Sequence, residues 1–350
     1  MSDTAQQGGP AGTGTPPRGP GSVNGQAGGT LRTVGRIFLR QRESTVFVVA
    51  AALFIYFAVS SSSFVTSTNL PILFTQDSTP YIIIALGEVL LLICGEIDLS
   101  VGFTFTLAPF LMYFLNVYDH VPGIICIIIA LAAGLVIGWI NAFLTITIGL
   151  PSFITTLGTG FVILGIVDTT SHAEPLSVPP GMTGNVSWLG GNWAPFITAI
   201  VLTVIMHIVL TRTRWGLHTV SVGGNILGAR EAGIHVNTIK YGNFMITGLL
   251  GALVGLQNAY VTNSIDPTAG GYQPMFYAVT AAVIGGTAML GGTGTIIGAF
   301  LGAVVIGMLT DGFTILGVSA NPLDIIFGAA ILVAMIANVQ LARLRERGVE

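Results

Sequence analysis

The sequence predicts an all-α polytopic membrane protein with about ten transmembrane helices, and three observations carry that expectation. Hydrophobic residues make up 52% of the 350 residues and charged ones only 8%, whereas a soluble domain carries about 25% charged residues. The mean hydropathy is +0.83, and the apolar residues fall into runs of roughly the 20 residues that a hydrocarbon core requires. The 12 basic residues sit in three blocks: Arg18, Arg32, Arg36, Arg40 and Arg42 before the first apolar run; Arg212, Arg214, Arg230 and Lys240 in one central segment; Arg343, Arg345 and Arg347 at the end. Positive charge stays on the cytoplasmic side, so both termini and the central segment are expected there. An even number of spans must then separate successive blocks, and six plus four fit the lengths available.

The elements follow in order. Residues 1–30 are Gly, Pro, Thr, Ser and Gln with almost no large apolar side chain. Such a segment buries too little surface to fold, so 1–44 reads as a disordered cytoplasmic tail with a basic, membrane-proximal end. It holds no apolar stretch of its own and does not read as a cleavable signal peptide. A transmembrane domain is expected over 45–341, with spans at about 45–59, 70–94, 101–117, 124–148, 152–167 and 195–210. The central segment 211–240 follows, then spans at 241–261, 275–290, 295–316 and 322–341, and a cytoplasmic tail at 342–350. Pro71 and Pro80 mark kinks or boundaries of the second span. The stretch from Ser171 to Trp193 is the longest polar external connection, and Trp188 and Trp193 suit the membrane–water boundary. Glycines inside the spans, such as Gly248, Gly251, Gly255, Gly298 and Gly302, are expected to form seams where helix backbones approach closely.

Several chemistries are excluded as far as motifs reach. Cys94 and Cys126 both lie in apolar runs and suggest no disulfide framework. The five histidines are scattered, so no metal site is expected, and no Ser/His constellation suggests catalysis. There is no Gly-x4-Gly-Lys-Ser/Thr phosphate loop, so no nucleotide cofactor is expected on this chain. Nothing points to a nucleic-acid partner. The energy for any transport must come from an ion gradient or from another subunit.

The stretch Gly95-Glu96-Ile97-Asp98-Leu99-Ser100-Val101-Gly102 places two carboxylates between apolar runs. Charge at this depth is expensive and marks function or a tightly bonded turn. It resembles the Gly-Gly-Ile-Asp-Leu-Ser-Val-Gly signature of the permease subunit of bacterial ABC importers of the ribose/monosaccharide type, with Glu96 where that family usually has glycine. Other stretches match the same family in order: Gly138-Trp139-Ile140-Asn141; Pro151-Ser152-Phe153-Ile154-Thr155-Thr156-Leu157-Gly158-Thr159; Gly223-Gly224-Asn225, then Ala229-Arg230-Glu231-Ala232-Gly233-Ile234; and Gly285-Gly286-Thr287 with Gly291-Gly292 and Gly294. The resemblance implies the fold of the vitamin B12-type (type II) importer permeases and a multi-pass protein of the bacterial cell membrane. It also implies partners: an ATPase subunit that holds ATP and magnesium, an extracytoplasmic solute-binding protein, and a second permease copy or paralogue. In this family the 211–240 loop contacts the ATPase, and the short helix expected around 226–232, ended by Gly233, would be the coupling helix. An interfacial helix lying on the membrane is its plainer reading.

Candidates for the substrate path are polar residues within spans: Glu88, Asn141, Gln257, Asn258 and Asn263. Each has an alternative role as a hydrogen bond between helices. Asp98 divides equally between shaping the Gly95–Gly102 turn and lining the path. Asp168, Asp311 and Asp324 fall near expected outer span ends. A competing expectation is a proton-driven secondary transporter with Glu88, Glu96 and Asp98 as relay; another is an ABC transporter of nucleosides or another small polar solute.

Overall fold

The computed structural model describes residues 42–182, 187–318 and seven further positions between 325 and 336. The tail 1–41, most of the expected tenth span at 322–341, Asp324 and the tail 342–350 lie outside the described residues.

The chain is a helical bundle of α1 (Arg42–Ser60), α2 (Asn69–Ile93), α3 (Val101–Val117), α4 (Gly123–Thr147), α5 (Ser152–Ser171), α6 (Ala194–Arg212), α7 (Arg214–Gly224), α8 (Ile226–Glu231), α9 (Val236–Thr262), α10 (Tyr272–Ile284) and α11 (Ile296–Ile315). Among the described residues, seven helices are long and apolar enough to cross a membrane: α1, α2, α4, α5, α6, α9 and α11. The 17 residues of α3 come close. The 13 residues of α10 reach only about 20 Å at 1.5 Å per residue. Two short strands, β1 (Leu176–Ser177) and β2 (Ser264–Ile265), pair antiparallel and tie the connection after α5 to the end of α9.

Two expectations are corrected and one is met. The eighth span, expected over 275–290, is helical only over Tyr272–Ile284. Gly286 stops it with φ 93°, donating its N–H to the Val283 carbonyl at 2.9 Å while Thr287 donates to Ala282 at 3.0 Å. This is the paired cap that a left-handed glycine makes possible. The central segment holds the expected short helix as α8, but also a helix that was not expected, α7, and α9 begins at Val236 rather than 241. In α2 both prolines fall at internal boundaries, as expected: Pro71 ends the first α-helical turn and Pro80 opens the α-helical stretch Thr79–Ile93. Pro80 has no N–H to donate to the turn before it, so Ile72–Ser78 widens to a π-helix. There the Ser78 and Thr79 hydroxyls donate to the Leu73 and Phe74 carbonyls at 2.7 and 2.8 Å.

Burial sorts the helices. From Thr79 to Ile93 every residue of α2 except Tyr81 is buried, as expected of a helix that is apolar all round. The helix α9 packs on α2, α3 and α4, and α10 on α11 and α2. In hydrocarbon, small residues let backbones touch, and the seams bear this out. A Cβ on Gly134 or Gly138 of α4 would strike the carbonyls of Gly248 or Phe244 on α9, and one on Gly302 would strike Ala281 of α10. By contrast α4, α5 and α6 turn isoleucines, valines and phenylalanines outward.

Candidate functional site: a polar junction below an aromatic groove

The Gly95–Gly102 turn begins as the cap of α2. Gly95, with φ 75°, donates to Leu92 and Glu96 donates to Leu91, both at 2.9 Å. Asp98 then folds inward and is fully buried. Its Oδ1 accepts from the Ser100 N–H at 2.8 Å and the Ser100 hydroxyl at 2.7 Å. Asn141 of α4 donates to both Asp98 carboxylate oxygens at 3.2 Å and to Ser100 Oγ at 2.7 Å. Thr156 of α5 accepts from the Leu99 N–H at 3.0 Å, and Ser152 Oγ from the Ile97 N–H at 3.4 Å. Glu88 of α2 accepts from the Asp98 N–H at 3.4 Å. Three motifs far apart in sequence thus meet on one turn, because a buried carboxylate and the free N–H groups of an irregular turn all need partners. Gly102 completes it: a side chain there would strike the Gly271 carbonyl, and the Gly271 N–H donates to the Gly102 carbonyl at 2.8 Å.

The central segment docks on the same turn. Gly223 of α7 lies against the Ile93 carbonyl, which also accepts from the Gly292 N–H at 2.8 Å. Beside it, Asn243 of α9 accepts from Trp215 Nε1 at 2.8 Å and donates to the Leu90 carbonyl at 3.3 Å and toward Thr219 Oγ1 at 3.4 Å. Cys94, Val222, Ala229, Val236 and Ile239 make a small apolar core beneath. Lys240 of α9 forms an ion pair with Glu96. In α8, Asn225 caps the helix by accepting from the Gly228 N–H at 2.9 Å. Gly233, at φ 79°, closes it, and Ile234 donates back to Ala229 at 2.9 Å. Leu217, Ile226, Leu227 and Arg230 are left exposed on the outer surface of this segment, with Gly224, Glu231, Ala232 and Gly233.

Above the junction, α5 and α10 both pack on α3 and leave a groove between them. A cavity of about 320 Å³ at the charged end is lined by Glu96, Ile97, Phe153, Phe276, Thr280 and Met289, among others. A second of about 320 Å³ toward the other end is lined by Phe103, Thr106, Ile163, Asp168, Thr268 and Tyr272, among others. Tyr272 meets Phe103 and Phe161 edge-on and stacks on Phe276, with centroids 4.9, 6.0 and 6.3 Å away. An aromatic strip therefore runs from one cavity to the other, with a carboxylate at each end.

The expected site residues divide accordingly. Gly95, Glu96, Asp98, Ser100, Gly102, Glu88 and Asn141 belong to one bonded unit, in which Glu88, Asp98 and Asn141 are wholly buried. Gln257 is buried within α9, Asn258 is half-buried, and Asn263 ends α9 on the surface beside β1, away from the groove. Asp311 is buried and accepts from Asn69 at 2.8 Å. Sequence reasoning missed Lys240, Asn243, Trp215 and Thr219 as site residues. Lys240 carried a signal, being the only lysine in the chain.

Comparison with known proteins bears on these observations. Residues 70–336 match the family described as "Branched-chain amino acid transport system / permease component". The xylose/arabinose import permease XylH of Sulfolobus acidocaldarius is 35% identical over 317 residues, covering 87% of each chain. The Escherichia coli ribose import permease RbsC is 32% identical, covering 79% of this chain and 88% of its own. The D-allose transport system permease AlsC of the same species is 30% identical, covering 83% and 89%. No solved structure matches. The chain belongs to this permease family, and its likeness within the family is to ABC permeases of the ribose/monosaccharide type.

Proposed function

We propose that this chain is the membrane-spanning subunit of an ATP-driven importer that carries a monosaccharide of the ribose, xylose or galactose kind. In this reading an extracytoplasmic binding protein delivers the sugar and a separate ATPase subunit supplies the energy. The observation that carries the reading is the junction. It fastens the charged segment α7–α8 to the turn that floors the groove, so a push on the segment reaches the groove walls through backbone contacts rather than flexible side chains. Exposed Leu217, Ile226 and Leu227 around Arg230 suit a protein partner: apolar contact area edged by an arginine, a residue type enriched among those that dominate binding energy. The positive-inside pattern puts that face in the cytoplasm, where an ATPase would be.

The groove supports the substrate class. Sugars offer apolar C–H faces and many hydroxyls, and aromatic strips with a few placed polar groups are the usual surface for such amphipathic ligands. Here Phe103, Tyr272 and Phe276 supply the faces, and Thr106, Thr268, Thr280 and the two carboxylates supply hydrogen bonds. The groove is open along one side, and a second permease copy would supply the missing wall. Alternating access would then be a shift in how the small-residue seams pack.

The test is purification of the tagged chain from its native membranes with gentle detergent, followed by identification of what remains bound. Recovery of an ATPase and a solute-binding protein is expected, and screening sugars on that binding protein then names the substrate. Repeated recovery of this chain alone would refute the reading.

A further inference from the structure

We propose that the Glu96–Lys240 ion pair is a latch: it closes the charged end of the groove in this conformation and parts when α8 is displaced, releasing the groove floor. The inference rests on the importer reading and assigns that reading a gate.

Four observations converge on it. The pair is the one ion pair among the described residues, and it joins positions 144 residues apart. Lys240 is the chain's only lysine, and it stands on the second turn of α9, shortly after the Gly233 turn that closes α8. Glu96 is at once a partner in the pair and part of the lining of the inner cavity, beside Phe153 and Phe276. The two side chains, Lys240 and Glu96, keep 12% and 13% of their surface exposed, so water reaches the pair at a boundary.

What makes this a latch rather than a brace is the way each partner is held. The backbone of Glu96 is fixed by the α2 cap, and Lys240 stands on a helix whose first turn is seated by Val236 and Ile239 in the core with Cys94 and Val222. Only the two long side chains need to move for the pair to open, and no backbone bond breaks. A water-accessible pair shifts an equilibrium by up to about fivefold, enough to favour the closed groove and small enough for a docking partner to overcome. A carboxylate released from lysine would face the groove with two free acceptor oxygens, in position to take hydroxyls of a passing sugar.

The test compares wild type, E96Q, K240Q and the exchanged pair E96K/K240E in the assembled transporter, measuring sugar imported per ATP hydrolysed. The single variants should import about threefold to fivefold less sugar per ATP, because the groove closes less often between cycles, and the exchange should restore coupling to within about twofold of wild type. Normal coupling in both single variants overturns the latch, and so does failure of the exchange to restore it. A second measurement separates a moving latch from a static brace. A zero-length carbodiimide cross-link between Glu96 and Lys240 is unambiguous in peptide mass spectra because the chain has no other lysine. Cross-linked transporter should lose uptake, and uptake at the uncross-linked rate overturns the proposal. Wild type that shows no ATP-driven import speaks instead against the importer reading.

Discussion

Gly223→Ala tests the junction most sharply, because its neighbour provides the control. A Cβ at Gly223 would overlap the Ile93 carbonyl oxygen and come within 2.7 Å of the Gly292 nitrogen, whereas a Cβ at Gly224 meets nothing within 4 Å. Neither glycine has a positive φ, so alanine is conformationally allowed at both and favours the helix by about 0.5–1 kcal/mol. At Gly223 that gain is outweighed by two penalties. Forcing a methyl into a filled space costs about 1–3 kcal/mol. Parting Gly292 from Ile93 leaves a bond of 2.8 Å unmade, at about 1–3 kcal/mol for a poorly solvated donor. The net loss is about 1–5 kcal/mol, and its midpoint of about 3 kcal/mol is on the order of 100-fold in the equilibrium between joined and parted junction. Gly224→Ala should be neutral or slightly stabilising. The assay is paired: the temperature at which detergent-solubilised protein aggregates, and sugar uptake in membranes at matched expression. Gly223→Ala should lower both and Gly224→Ala neither. Indistinguishable behaviour of the two variants would refute the three-way contact of α2, α7 and the Gly291–Gly292 turn.

The remaining predictions concern separate parts of the same unit. Asn141→Ala removes donors to Asp98 and Ser100 and should cost about 1–3 kcal/mol, read as a lowered aggregation temperature; Asn141→Asp, which sets two carboxylates together, should be worse than alanine. Glu88→Gln should retain ATP-driven uptake, since the side chain accepts from the Asp98 N–H and an amide oxygen can accept that bond as well; complete loss, with a well-folded protein, would favour the proton-relay alternative. Trp215→Phe deletes the 2.8 Å bond to Asn243 and should reduce uptake while the chain still inserts; unchanged uptake would remove Asn243 from the path between segment and turn. Deletion of residues 1–30 should leave uptake intact, and its loss would assign that tail a role in assembly or regulation.

The parts of this fold that were legible in the sequence are those set by hydrocarbon. Apolar runs of span length and three blocks of positive charge place α1, α2, α4, α5, α6, α9 and α11 within a few residues. What hydropathy cannot report is where a helix stops inside an apolar run. The segment 275–290 reads as one span, yet Gly286 adopts the left-handed conformation and ends α10 after Ile284. The same ambiguity hid α7, because Thr211 to Lys240 is polar enough to resemble a loop while Thr213 caps a helix there by accepting from Gly216. The motif residues were legible as a set, but not their geometry. That Asp98, Asn141 and Thr156 share one turn is a consequence of three helices converging, and no spacing within any one of them encodes it. For the same reason the sequence leaves Glu88 and Asn141 open between the path and hydrogen bonds joining helices, and the structure shows both completing the buried shell of Asp98.

If transport through this chain is driven by ATP on a partner, reconstitution separates that drive from an ion gradient. Uptake of labelled pentose or hexose is followed in vesicles holding the purified chain, its co-purified ATPase and its binding protein, with ATP and a protonophore supplied in turn. Uptake should require ATP and all three proteins and persist when the proton gradient is collapsed. Uptake by this chain alone, driven by a proton gradient without ATP, would contradict the importer reading.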